Sequence, residues 1–150
     1  MPSRKKDEAA RWFQQALYDL KAVQWNVDGG FYDTACFLAQ QAAERALKSF
    51  LYYTGARRAA LLTHSLVAMV RDGKKSLAAM RELLPEAREL DLHYIPSRYP
   101  NGLPSGYPHQ FYEKPVADRA YVAAKRIVSL VCRHYQDQGE RSILEPEEEP

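Results

Sequence analysis

Apolar positions recur at helical spacing almost from the start of this chain. Phe13, Leu17, Leu20, Val23 and Val27 follow one another at intervals of 4, 3, 3 and 4, the stripe of an amphipathic helix over about 7–27. Asp28-Gly29-Gly30 stops it, because two glycines free the backbone to leave the helical basin. A second helix is predicted over about 31–53, ended by Thr54-Gly55. It carries two stripes: Phe31, Ala35, Leu38, Ala42, Ala46 and Ser49, then Cys36, Ala39, Ala43, Leu47 and Phe50. Small residues on both stripes admit close neighbours on two sides. That pattern suits the central helix of a bundle, or one that also meets a partner subunit.

Thr63-His64 opens a shorter helix bearing Leu66, Val67, Met69 and Val70, with Thr63 as its expected N-cap and Asp72-Gly73 as its end. Leu77, Met80, Leu84 and Ala87 mark a fourth helix over about 75–93, kinked or broken near Leu84 by Pro85. Residues 94–112 differ in kind. Pro96, Pro100, Pro104 and Pro108 exclude a continuing helix, yet Tyr94, Tyr99, Tyr107, Phe111 and Tyr112 are too many aromatics for a disordered linker. An ordered loop packed on the bundle is predicted. Pro115 suits the first turn of a last helix, whose buried face is Val116, Ala120, Ala123, Ile127, Leu130 and His134, out to about Gln138. With no repeat and no alternating strand pattern, the fold class is all-α. The expected architecture is an up-and-down bundle of four to five helices, with a long Pro/Tyr-rich loop before the last.

At 150 residues and 46% apolar content the chain is one domain. No run of residues suits a transmembrane helix or a signal peptide, so a soluble cytoplasmic protein is expected. The net charge of +2 hides a split. Five acids against the single Arg141 put residues 139–150 at −4, which leaves residues 1–138 at +6. The expected division is a helical domain over 1–138 and a disordered acidic tail over 139–150.

Much chemistry is absent. The seven glycines form no phosphate-binding loop, there is no His-Glu-x-x-His, and no histidine has a Glu three positions before it. Cys36 and Cys132 make neither a disulfide framework nor a zinc set, and their apolar settings predict inert thiols. No cofactor and no metal is expected, and any catalysis must be assembled from Arg, His and Tyr.

The second helix, from Gly30-Phe31-Tyr32 through Gln40-Gln41-Ala42-Ala43-Glu44-Arg45-Ala46-Leu47-Lys48, resembles the signature of HEPN domains. That family shows a Gly-x-Tyr opening and a Gln-Gln-Ala-Ala-Glu-Lys-Ala-Leu-Lys core. Trp12-Phe13, Tyr18-Asp19-Leu20, Gly55, Thr63-His64-Ser65-Leu66 and Arg98-Tyr99-Pro100 agree with it in order and spacing, so the resemblance spans about 8–136. It implies a compact bundle that commonly dimerises and an association with nucleotides and RNA. It also implies, for many prokaryotic members, pairing with a minimal nucleotidyltransferase as a toxin–antitoxin unit. Active ribonuclease members carry Arg-x4-6-His and cleave RNA without metal. Arg58 and His64 satisfy that string, as do Arg57 and His64, but at the loop between helices two and three rather than in the second hairpin. The His-x-Tyr extension is absent; the nearest string is His109-Gln110-Phe111-Tyr112.

Arg98 and Tyr99 are the leading candidates for ligand contact, a guanidinium fork for phosphate beside a ring that can stack on a base. The alternative is structural: Arg98 pairs with Asp91 or another carboxylate and pins the loop, with Tyr99 packed beneath it. His64 could hold phosphate, act as a general base, or bond a backbone group. Arg45 and Lys48, one turn apart, could join Arg57 and Arg58 in a basic patch for RNA, or form a solvated face with a Glu44–Lys48 pair. Glu44 is expected partly buried in a bundle-spanning salt bridge, and Tyr52 or Tyr53 is expected at a dimer seam. Three functions follow: a nucleotide- or RNA-binding homodimer working with a nucleotidyltransferase; a metal-independent endoribonuclease using Arg57 or Arg58 with His64; and a non-catalytic partner-binding scaffold.

Overall fold

The structure, a computed structural model, describes residues 2–147. Its long elements are α1 (Pro2–Asp28), α2 (Tyr32–Thr54) and α7 (Lys114–Asp137). Between α2 and α7 lie α3 (Arg58–Leu62), α4 (Leu66–Gly73), a 3₁₀ turn (Ala78–Leu83), α5 (Leu84–Asp91), a 3₁₀ turn (Pro100–Gly102) and α6 (Pro108–Phe111); α8 (Arg141–Leu144) follows. The described residues contain no strand, and the five helices of eight residues or more form the bundle.

Alanines let α1 and α2 pack closely. Ala9 and Ala16 of α1 and Ala35, Ala39, Ala42, Ala43 and Ala46 of α2 are fully buried. Apart from Phe31, which is exposed ahead of the helix, both stripes of α2 pack within its own chain, α1 on one side and α7 on another, which makes it the central helix. Phe13 meets Tyr135 edge-to-face at 5.4 Å. The Tyr135 hydroxyl sits 2.8 Å from Ser49 Oγ, which donates to the Ala9 carbonyl at 2.6 Å, so three helices share one buried polar knot.

Gly55 closes α2 in the left-handed region at φ +74°, its N–H bonding the carbonyl oxygens of Leu51 and Tyr52. That conformation strains any side chain with a Cβ. The N-cap of α4 is Ser65 rather than Thr63. Ser65 Oγ accepts from the Ala68 N–H, while Asp91 accepts from the N–H groups of Leu66 and Val67 at 2.8 and 3.1 Å. The expected fourth helix is broken at Leu83–Leu84, with Pro85 in the first turn of α5. The aromatic loop is ordered and holds one short helix that was not expected, α6. It forms because Pro108 occupies its first turn, where a missing N–H costs nothing.

The expected acidic tail departs most. Gly139 turns the chain at φ +68°, and α8 folds back on α1 and α7. Ile143 is fully buried, and Gln14 Nε2 donates to the carbonyls of Ile143 and Leu144, each at 3.1 Å. Glu140 pairs with Lys6 and accepts from the Tyr53 hydroxyl. The acids obscured two apolar residues and a carboxylate with partners waiting. Residues 148–150 lie outside the described residues.

Candidate functional site

The Gln-Gln-Ala-Ala-Glu run of α2 buries a polar row. Glu44, 4% exposed, accepts from Gln40 Nε2 at 3.2 Å, from Lys48 Nζ at 3.1 Å and from His64 at 3.1 Å. Lys48 is buried as well, its ammonium 5.5 Å above the Trp12 ring, which stacks on Tyr52. Glu44 is buried as expected, but its ion pair with Lys48 lies within α2 rather than spanning the bundle, and Lys48 belongs to no solvated face. Arg45, one turn earlier, turns to Asp19 of α1, which also accepts from Gln15. Neither Arg45 nor Lys48 is free for RNA backbone: each is neutralised by a carboxylate of its own chain.

A carboxylate accepts, so His64 donates to Glu44 from Nδ1. The ring stands more than half exposed on the bundle surface and lies nearly parallel to Tyr94, 5.0 Å between centroids at 19°. Arg98 lies on the same Tyr94 ring from the next turn of chain. Its guanidinium carbon is 4.6 Å from the centroids of Tyr94 and Phe37 and 4.8 Å from that of Tyr99. Arg98 Nε donates to the Tyr94 carbonyl at 3.0 Å. Among the described residues Arg98 forms no ion pair, and Asp91, its expected structural partner, is spent on the cap of α4. Tyr99 does pack against Arg98, yet its ring remains 47% exposed. Arg98, Tyr99 and His64 therefore gather around Tyr94.

Arg57 and Arg58 do not join this cluster through any bond. Both are exposed at the start of α3, and neither side chain makes a hydrogen bond or ion pair with a described residue. Tyr52 and Tyr53 are half-buried, Tyr52 on Trp12 and Tyr53 against Tyr135 and His134. Tyr94 and Phe37 escaped the sequence reading, although the four-residue step from Tyr94 to Arg98 was a usable signal.

A second cluster holds the loop down. His93 is buried, and its Nδ1 lies 3.1 Å from the Tyr112 hydroxyl. Burial, helped by Arg119, pushes the His93 imidazole below its ordinary range, and burial, with Cys36 and Asp33, pushes the Tyr112 phenol up to about 12. A neutral imidazole therefore accepts from a protonated phenol. Ser97 Oγ donates to the His93 carbonyl, and His109 reaches Asp33 of α2 at 3.0 Å. Burial also raises the thiols of Cys36, to about 12, and Cys132, which keeps them protonated and unreactive. Among the described residues no three His, Cys, Asp or Glu side chains gather as a metal site, and no helix is long and apolar enough to cross a membrane.

The chain is an all-helical bundle with a polar row on its central helix and an aromatic–arginine loop beside it. The HEPN domain model matches residues 9–135, and the chain belongs to the HEPN family. Three crystal structures are similar to it. TT1696 from Thermus thermophilus is 34% identical with a TM-score of 0.77, covering 84% of this chain and 98% of its own. ST0689, an archaeal HEPN homologue, is 32% identical with a TM-score of 0.71, covering 85% and 97%. A HEPN domain protein from Thermotoga maritima, tm0613, is 28% identical with a TM-score of 0.66, covering 84% and 98%. No curated protein matches the sequence.

Proposed function

We propose that this chain binds the phosphate of a nucleotide or RNA at Arg98, with Tyr99 offering its ring to a base and His64 alongside. The reading extends to a homodimer acting with a minimal nucleotidyltransferase in a toxin–antitoxin-type pair. One observation carries it: Arg98 is held by three aromatic rings and one carbonyl, and no carboxylate among the described residues neutralises it. A guanidinium stacked on its faces keeps the Nη edge for an anion, the geometry in which arginine forms a fork to phosphate. Arg98→Ala should weaken mononucleotide and short-RNA binding at least about tenfold and lower the salt slope by about 1. Unchanged affinity in that variant removes the loop from the binding role. Copurification with a nucleotidyltransferase tests the pairing.

The contact of Glu44 with His64 favours a second reading, a metal-independent ribonuclease. A buried carboxylate that fixes the Nδ1 proton aims the Nε2 lone pair outward as a general base. Here Arg98 stands one tyrosine ring away, with Arg57 and Arg58 as exposed auxiliaries. RNA cleavage in EDTA should vanish in His64→Ala; cleavage that survives this change rules the reading out. If neither Arg98→Ala nor His64→Ala alters any RNA-linked property, the scaffold reading stands.

A further inference from the structure

One long side of the bundle takes no part in the site described above. On α1, Trp12, Gln15 and Asp19 turn toward Lys48 and Arg45 of α2, whereas Leu17, Tyr18, Lys21 and Trp25 turn toward Tyr121 of α7. Between them runs an open groove of about 510 Å³. Trp25 is 79% exposed and Tyr18 64%, although large aromatics are ordinarily withdrawn from water. Lys21 Nζ stands 5.1 Å above the Tyr18 ring, and Lys125 Nζ lies 6.0 Å from that of Tyr121. The residues lining the groove include no acid.

This combination selects among occupants. A second copy docked through a two-fold axis would set Lys21 and Lys125 of one chain near those of the other, with no carboxylate in the groove to offset them. An acidic peptide would use the lysines, but carboxylates avoid the negative faces of Trp25 and Tyr18. A single strand of nucleic acid uses both features: its bases stack on exposed rings while its phosphates meet the ammonium groups. Tyr18 and Trp25 stand two helical turns apart, about 10 Å. At roughly 3.4 Å per nucleotide along a strand, that separation holds about three nucleotides.

We propose that the α1–α7 groove is a stacking platform for single-stranded nucleic acid, with bases on Trp25 and Tyr18 and phosphates at Lys21 and Lys125. It shares its polyanion chemistry with the Arg98 reading but is built on α1 and α7, whereas that site is built on α2 and the loops around Tyr94, so the two fail separately. A platform of this length engages oligonucleotides and ignores mononucleotides.

The test titrates the full chain with a uridine ten-mer and with UMP, following tryptophan fluorescence and the anisotropy of labelled ten-mer. The ten-mer should quench the wild-type chain, and Trp25→Phe should lose most of that quenching. Trp25→Ala with Lys21→Glu should weaken ten-mer binding at least about tenfold, and Lys125→Ala should lower the salt slope by about 0.7. UMP binding should be unchanged in all of them. Because these side chains are exposed, thermal melts should not move. Ten-mer affinity and salt slope that stay at wild-type values in the double variant overturn the proposal. So does sedimentation showing a self-association that Trp25→Ala abolishes, or Trp25-dependent binding of polyglutamate without binding of the ten-mer. If instead Arg98→Ala leaves UMP binding intact while Trp25→Ala weakens the ten-mer, the Arg98 reading falls and this one stands.

Discussion

Lys48 and Arg98 are both cations set among aromatic rings, and the chain treats them in opposite ways. Lys48 is buried on the central helix, bonded to Glu44 and covered by Trp12. Arg98 sits on a proline-punctuated loop, held by Phe37, Tyr94 and Tyr99, with a carbonyl as its only hydrogen-bond partner among the described residues. A buried cation with its own carboxylate is spent, because removing either member strands the other charge in a low dielectric. A cation balanced by π faces alone keeps most of its charge for a ligand. Basic residues therefore have to be sorted by what already neutralises them before they are counted as a patch.

Substitutions should separate the two. Lys48→Ala leaves Glu44 buried beside only Gln40 and His64, and denaturant unfolding should show a loss of about 3–5 kcal/mol. A cost near zero would return Lys48 to the surface and erase the contrast. Ile143→Ala, read by the same unfolding curve, should cost about 2–4 kcal/mol, since the residue is fully enclosed. A freely solvated tail would lose nothing. Arg98→Ala should cost about 1 kcal/mol of stability while removing ligand affinity; destabilisation as large as that of Lys48→Ala would make Arg98 a structural pin.

The smallest effect lies beneath the loop. His93 is held below its ordinary range by burial, so protons bind the unfolded chain first. Stability is complete above the unfolded value of about 6.5 and declines as pH falls toward the depressed folded value. His93→Gln should flatten that part of the acid limb of a pH-dependent melt. An unchanged limb would assign the loss to other groups.

Much of this was legible in the residues. Period and glycine stops placed α1, α2 and α7 within a few positions, and Pro85 marked the break before α5. The Gln-Gln-Ala-Ala-Glu run together with the Arg-Tyr-Pro loop pointed to the HEPN family that the match over residues 9–135 bears out. The misses share a cause. Ser65 rather than Thr63 caps α4 because Asp91, distant in sequence, supports that turn. Residues 140–147 looked like solvent-facing acid because their partners, Lys6, Gln14 and Tyr53, lie more than eighty residues away.

Local sequence thus determined that the long segments are helical, where α1 and α2 stop, and which side chains are apolar, since those properties depend on neighbours within a turn or two. Only the tertiary structure decided which charges are free. Arg45, Lys48 and Arg98 are indistinguishable as cations on paper. Asp19 of α1 claims Arg45, burial against Trp12 commits Lys48 to Glu44 one turn away, and Asp91, committed to the cap of α4, is withheld from Arg98. The assignment follows from long-range packing, because a carboxylate has only so many lone pairs and the fold chooses which donors reach them.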